Sequence, residues 1–253
     1  MKKIISSIVS VLALTTAANA DFARVELGVG GWNQKPTGTI KYTDGSNTGS
    51  YTSNEKEKTA AYAWMLIKHP IPIVPNLRLE YASVEDAGKA EGYFKDFSTS
   101  GETTGSFELN QYDVVAYYNI LDNTAWLTVD LGVDIKVLDA NFKANEVTIY
   151  GVGTGDYTDD ISLAAPMGYA RVRVEIPATN IGLESDVKYV TYSGSTLSDI
   201  RVKVDYTLDF IPVVQPAVEI GYRAQNYELE TDDDKTKTDL KFSGVYGGLM
   251  VRF

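Results

Sequence analysis

Strict alternation of apolar and polar side chains runs through almost the whole chain after residue 20, and it excludes a helical fold. Over residues 126–137, Leu127, Val129, Leu131, Val133, Ile135 and Val137 fall on one face. Trp126, Thr128, Asp130, Gly132, Asp134 and Lys136 fall on the other. Successive side chains of a β-strand point to opposite faces, so such a run reads as a strand with one apolar and one polar face. The same pattern recurs at 170–176, 200–210 and 218–224, and more weakly at 22–32, 60–68, 77–84, 111–120, 181–192 and 243–253. These segments make ten strand candidates.

The connections alternate in kind. Short turns are expected at His69–Asn76, Leu121–Thr124, Pro177–Asn180 and Pro212–Pro216, with a tight turn at Ser193-Gly194-Ser195. Long polar segments lie at 34–57, 87–106, 144–160 and 230–239 and read as loops. Most of the prolines sit in the short turns, where a missing backbone donor does no harm to a sheet.

Residues 1–20 read as an address. Lys2 and Lys3 precede an apolar stretch from Ile4 to Thr16, and Ala18-Asn19-Ala20 is the small-x-small pattern of a secretory cleavage site. The expected division is therefore a signal peptide over 1–20, cleaved after Ala20, and one β domain over 21–253. No later stretch has the roughly 18 consecutive apolar residues of a transmembrane helix.

Composition narrows the chemistry. The chain has 253 residues, no cysteine and one histidine, with 34 acidic against 23 basic side chains. Absent cysteine removes disulfides and thiolate chemistry, and a pI near 4.6 argues against nucleic acid as a partner. Neither a cofactor nor a metal site is expected, and the chain reads as something other than an enzyme.

Alternation alone does not say which way the faces point. In a soluble sandwich the apolar face turns inward, whereas in a membrane barrel it meets lipid and the polar face lines the lumen. Two features favour the second arrangement. Several alternating segments are nine to twelve residues long, enough to cross a bilayer at a tilt. Tyrosine and phenylalanine also recur on the apolar face, at Tyr112, Tyr118, Tyr189, Tyr206, Phe210 and Tyr222, where a membrane interface suits a phenol better than a dry core.

The last ten residues add a third. Val245, Leu249 and Val251 alternate up to a terminal Phe253, with Tyr246 and the Gly247-Gly248 pair between them. This strand resembles the terminal assembly signal of Gram-negative outer-membrane β-barrels, and the Gly-Gly pair resembles a family of small barrels of uncharacterised activity. The resemblance implies a partnership with the barrel-assembly machinery during insertion, and with outer-membrane lipid and lipopolysaccharide afterwards. The expected fold is all-β, a transmembrane antiparallel up-and-down barrel of ten strands, with eight as the alternative, in the outer membrane of a Gram-negative bacterium.

With apolar faces outward, the alternation assigns a lumen. The cations are Arg24, Arg78, Lys136, Arg171, Arg173, Lys188, Arg201, Lys203, Arg223 and Arg252. The anions are Glu26, Glu80, Asp113, Asp130, Asp134, Glu175, Glu184, Asp186, Asp205, Asp209 and Glu219. Buried charges persist only when paired, and a small barrel is barely wider than its own side chains. The expected interior is a ladder of cross-strand ion pairs that plugs the lumen, with a narrow, weakly selective pore as the alternative.

Other site-like patterns are better read as surface. His69 sits beside Pro70 in an expected turn. Gly151-Val152-Gly153-Thr154-Gly155 lacks the lysine and helix of a phosphate loop. Asp156, Asp159 and Asp160, and Asp232-Asp233-Asp234, lack the spacing of a calcium loop.

Overall fold

The computed structural model describes residues 23–71, 73–208, 214–230 and 235–253. Expectations placed on Ala18, Ala20, Asp209, Phe210, Pro212 and Asp232–Asp234 lie outside the described residues. Twelve strands follow one another: β1 (Arg24–Asp44), β2 (Asn47–Ser53), β3 (Lys58–Lys68), β4 (Asn76–Gly92), β5 (Phe97–Ser98), β6 (Thr103–Thr124), β7 (Leu127–Ile149), β8 (Gly153–Glu175), β9 (Ile181–Tyr192), β10 (Ser195–Thr207), β11 (Gln215–Glu230) and β12 (Thr236–Arg252).

The wall they form is an antiparallel barrel of ten staves, so the eight-stranded alternative falls. β2 and β3 are two parts of one stave, since β1 pairs with β3 over Arg24–Gln34 and with β2 over Thr39–Asp44. The two-residue β5 is not a stave of the ring; it pairs with β7, and its Ser98 also bridges Tyr93. Closure comes from β12 against β1, extended by a reciprocal backbone pair between Val25 and Phe253.

Register fixes the shape. A walk across partnered residues runs from Lys241 through Asn226, Ser198, Tyr189, Gly168, Val133, Ala116, Leu77, Ile67 and Val25 to Phe253. It returns to β12 about twelve residues from its start, a stagger that for ten strands corresponds to a tilt of about 40°.

Apolar side chains face outward in the lower wall, and that orientation separates a membrane barrel from a soluble one. Val29, Val133, Val202, Ile220, Val245 and Leu249 are 52–65% exposed, while Glu26, Arg78, Asp130, Lys136 and Glu184 on the opposite faces are buried. A continuous apolar exterior of this kind marks contact with lipid.

Above that band the faces exchange roles. On β6, outward Val114 and Tyr112 give way to Asn110 and Glu108, while inward Asp113 and Gln111 give way to Leu109 and Phe107. On β12, outward Leu249 and Val245 give way to Ser243 and Lys241, as Phe242 and Leu240 turn inward. The exchange recurs on neighbouring staves, with Ser83, Asn110, Asp139 and Ser162, all of outward parity, as successive partners on four staves. Crossing a bilayer takes about ten tilted residues, whereas β6, β7 and β8 have 22, 23 and 23. The surplus stands in water and packs its apolar side chains inward, as a soluble sheet does.

This exchange corrects the reading of the long polar segments as loops. Residues 34–44, 47–53, 87–92, 103–106, 144–149 and 153–160 are strand. Their alternation continues with its polarity reversed, so it no longer matches the pattern that marks the lower strands. The turn expected at Leu121–Thr124 is also displaced. β6 runs to Thr124 through two register shifts, and the hairpin turns at Ala125 and Trp126, both with positive φ (53° and 66°) as a two-residue I′ turn requires. Trp126 is therefore a turn residue, not the first residue of a strand.

Of the described prolines that stand inside strands, Pro216 is the second residue of β11. The two in strand interiors, Pro36 and Pro166, each mark a break in a ladder. Pro36 lies where β1 passes from β3 to β2, and Pro166 lies just beyond Gly168, the last residue of β8 paired with β9. A residue without an amide hydrogen fits where a neighbour is missing.

Candidate functional site

The lumen of the lower wall holds the densest chemistry. Glu80 on β4 is one hub. Its carboxylate meets Arg78 Nε at 2.5 Å, Lys188 Nζ at 2.8 Å and Arg201 Nη2 at 2.9 Å. Glu184 on β9 is the second, with Arg171 Nη2 at 2.7 Å and Arg78 Nη1 at 3.3 Å. Arg78 thus links β4 to β9 across the barrel interior.

Toward the mouth where the chain ends at Phe253, Arg173 and Arg252 converge on Asp205, and Arg252 also bonds Glu26. Arg24 pairs with Glu26 at 2.6 Å and reaches Glu175 at 3.5 Å. Glu175, read as a lumen residue, is a mouth residue with a half-exposed side chain. The strand ends there, so its carboxylate has left the enclosed section. A cavity of about 20 Å³ between Arg24, Lys68, Tyr117, Asp122 and Thr128 has room for about one water molecule.

Toward the outside, Arg223 grips Asp199 through Nε at 2.9 Å and Nη2 at 2.5 Å, and Lys136 bridges Asp113 and Asp199. Asp130 pairs with Arg171, Asp186 with Arg201, and Lys203 with Glu219. Asp134 is fully buried, and neither of its oxygens has a hydrogen-bond partner.

Aromatic rings fill what the ions leave. Trp64 Nε1 and Tyr62 Oη both donate to Glu219 Oε1, and Lys203 Nζ lies 4.3 Å from the Trp64 ring centre. Glycines opposite provide the room. A Cβ on Gly28 would lie 2.3 Å from Trp64 Nε1, and one on Gly248 would lie 2.4 Å from Tyr62 Oη.

The upper half of the lumen is closed differently. Gln111 and Gln225 exchange amide hydrogen bonds at 2.7 and 3.0 Å, and Tyr227 Oη donates to Gln111. Over them lie Phe107, Phe142, Phe242 and Tyr51, with Tyr51 Oη donating to Asp86 at 2.7 Å. Burial, reinforced by the Asp86 carboxylate, holds the Tyr51 hydroxyl well above its ordinary pKa. Phe94, Phe97 and Tyr157 stack above this layer.

Three placements depart from the sequence expectation. Tyr112, Tyr118, Tyr189, Tyr206 and Tyr222 do face outward, but Tyr51, Tyr62, Tyr117, Tyr169, Tyr227 and Tyr246 are buried inside. Lipid interface therefore accounts for only part of the tyrosine. Asp199 and Asp86, absent from the expected ladder, belong to the interior. Both continue the parity of an assigned run, Asp199 before Arg201 and Asp86 after Glu80, so extending each run by one or two residues finds them. Of the terminal residues, Val245, Leu249 and Val251 face outward and Tyr246 inward, while Phe253 pairs through its backbone with Val25.

The remaining motifs lie on the surface. His69 is held in its turn, with Nε2 3.0 Å from the Pro75 carbonyl and Nδ1 accepting from the Ile71 amide. Asp156, Asp159 and Asp160 lie along β8, where Asp156 caps the Glu146 amide and Asp160 accepts from Asn141.

A closed antiparallel barrel with an outward apolar band and inward charges has the fold of a Gram-negative outer-membrane β-barrel. In fold the chain is similar to the outer membrane protease OmpT from Escherichia coli, with a TM-score of 0.54 over 91% of this chain and 96% of that one, at 10% identity. It also aligns with the translocator domain of the autotransporter NalP from Neisseria meningitidis (TM-score 0.41, 11% identity, 100% of this chain and 95% of that one). A third alignment is with the transport unit of the autotransporter AIDA-I from Escherichia coli (TM-score 0.38, 11% identity, 98% and 97%). No family model matches the sequence, and no curated protein matches it. The likeness to OmpT corrects one expectation. The chain reads from its sequence as something other than an enzyme, whereas a protease shares this fold, so the fold does not exclude an enzyme.

Proposed function

We propose that this chain is an integral outer-membrane protein whose lumen is closed by its own side chains and which acts through the strands standing outside the lipid. In this reading it is exported by its N-terminal signal, cleaved after Ala20, and inserted by the barrel-assembly machinery through its terminal strand. It then sits among outer-membrane lipid and lipopolysaccharide.

The observation that carries the reading is the burial of the ladder. Arg78, Glu80, Lys136, Arg171, Glu184, Arg201 and Lys203 have side chains no more than 5% exposed, and each lies within ion-pair distance of an opposite charge. A water-filled pore would leave such groups hydrated. The paired ions below and the aromatic layer above obstruct the lumen twice.

Planar-bilayer recording of the refolded protein tests this reading. A silent bilayer, from a preparation verified as folded by heat-modifiable gel migration, is the expected result. Stable conductance steps would overturn it in favour of a narrow pore.

A further inference from the structure

The water-exposed part of the barrel is not closed all the way round. β8 pairs with β7 along almost its whole length, up to Gly153 opposite Ile149. With β9 it pairs only from Gly168 to Glu175. From Thr154 to Met167, β8 has no ladder partner on its β9 side among the described residues. The β9–β10 hairpin has already turned at Ser193 and Gly194, well below the tip of the β7–β8 hairpin. Residues 158–164 are exposed on both faces, including Ile161 and Leu163, whose parity is that of the buried interior.

We infer that this free edge of β8 takes up an extended, cationic peptide segment of a partner protein as an added strand. About half of the residues along a strand edge direct their amide and carbonyl outward, so the stretch from Thr154 to Ser162, above the exchange of faces, presents about four or five residues' worth of unpaired backbone groups. Ile161 and Leu163 offer apolar contact to alternate side chains of the incoming strand. Charge selects the occupant. Asp156, Asp159 and Asp160 lie on β8 along the edge, with Asp156 and Asp160 each keeping one oxygen engaged with β7, and Asp96 adds a carboxylate beside Tyr157. A second copy pairing edge to edge would bring two sets of these carboxylates together, which disfavours self-association. A lysine- or arginine-bearing strand meets complementary charge instead. Pro166 ends the β9 ladder and so keeps the edge vacant.

The inference rests on the proposal that the extramembrane strands are the interacting surface. Its test does not depend on conductance. A fluorescein-labelled nine-residue peptide alternating lysine and valine is titrated against the refolded full chain in detergent micelles, with anisotropy as the readout. Saturable, salt-weakened binding is expected. Methylating alternate backbone nitrogens of the peptide, in both registers, leaves its charge intact and is expected to weaken binding about tenfold or more in at least one register. Bound peptide should also slow hydrogen exchange of the amides between Thr154 and Ala165. Absent binding, or binding insensitive to methylation in both registers, overturns strand addition. Concentration-dependent dimers lost in an Ile161→Pro variant would assign the edge to a second copy instead. A bilayer that stays silent while the peptide fails to bind removes this inference and leaves the closed lumen standing.

Discussion

Arg173 on β8 holds Asp205 on β10 through two parallel hydrogen bonds, Nη1 to Oδ1 at 2.7 Å and Nη2 to Oδ2 at 3.1 Å, although β9 lies between their strands. The pair spans the inner side of the wall, and Arg252 closes on the same carboxylate from β12 at 2.7 Å. Replacing Asp205 by alanine takes the shared carboxylate from two guanidinium groups. Arg252 is left with Glu26 at 3.1 Å, and Arg173 with the longer contacts to Glu175 and Glu184 at 3.3 and 3.4 Å. The expected loss is about 3–5 kcal/mol of folding free energy, read as a lower urea midpoint and a lower temperature for the heat-modifiable gel shift. Exchanging Arg173 and Asp205 together for methionine and leucine should recover much of it.

Glu80 neutralises three cations, so Glu80→Gln leaves Arg78, Lys188 and Arg201 short of a counter-charge in an enclosed space. Water and anions are then expected to enter. Bilayer recording should show small anion-preferring steps where the unaltered protein is silent. Continued silence in the variant would show that the obstruction does not depend on this hub.

The exchange of faces makes a positional prediction along β10. Val202 lies in the outward apolar band, whereas Thr196 lies above the exchange. Val202→Lys should destabilise the barrel in lipid vesicles by about 2–4 kcal/mol, and Thr196→Lys by less than about 1 kcal/mol. Equal effects would contradict the assigned lipid boundary.

Gly28→Val places a side chain where the Trp64 indole lies. The ring must leave Glu219, so tryptophan emission should shift and stability should fall by about 1–3 kcal/mol. Gly31→Val, whose Cβ approaches only Thr59 Cγ2 at 3.2 Å on the outer face, is the control expected to change emission little.

Removing Phe253 takes away both the terminal aromatic and the backbone pair with Val25. The yield of folded barrel in cell outer membranes should fall several-fold, while refolding into detergent stays near normal. Equal loss in both assays would make Phe253 a stability residue and no assembly signal.

The lower strands were legible because each carries one solvent contrast. Leu127 to Val137 and Ile200 to Tyr206 alternate without interruption, and inward parity is read directly from them. The upper strands were not, because Leu109, Phe107 and Phe242 keep the parity of the lumen while changing its character. A pattern that reverses sign midway averages to a polar loop. Partners across the lumen were also hidden. Arg78 and Glu184 are 106 positions apart, and their meeting depends on stagger and tilt, which alternation does not encode. Pro166 and Pro36 carried a readable signal, since a proline within a strand pattern marks an interrupted ladder.

The exchange from Leu249 and Val245 to Ser243 and Lys241, repeated on β4, β6, β7 and β8, gives the molecule a built-in waterline. A barrel with an apolar exterior along its full height could slide along the membrane normal to suit a thicker or thinner bilayer. This one would have to submerge Lys241 or lift Leu249 into water to do so. Lipid must therefore adapt to the protein, thinning or thickening at its perimeter. The height at which the free edge of β8 stands above the membrane is then set by the strands themselves.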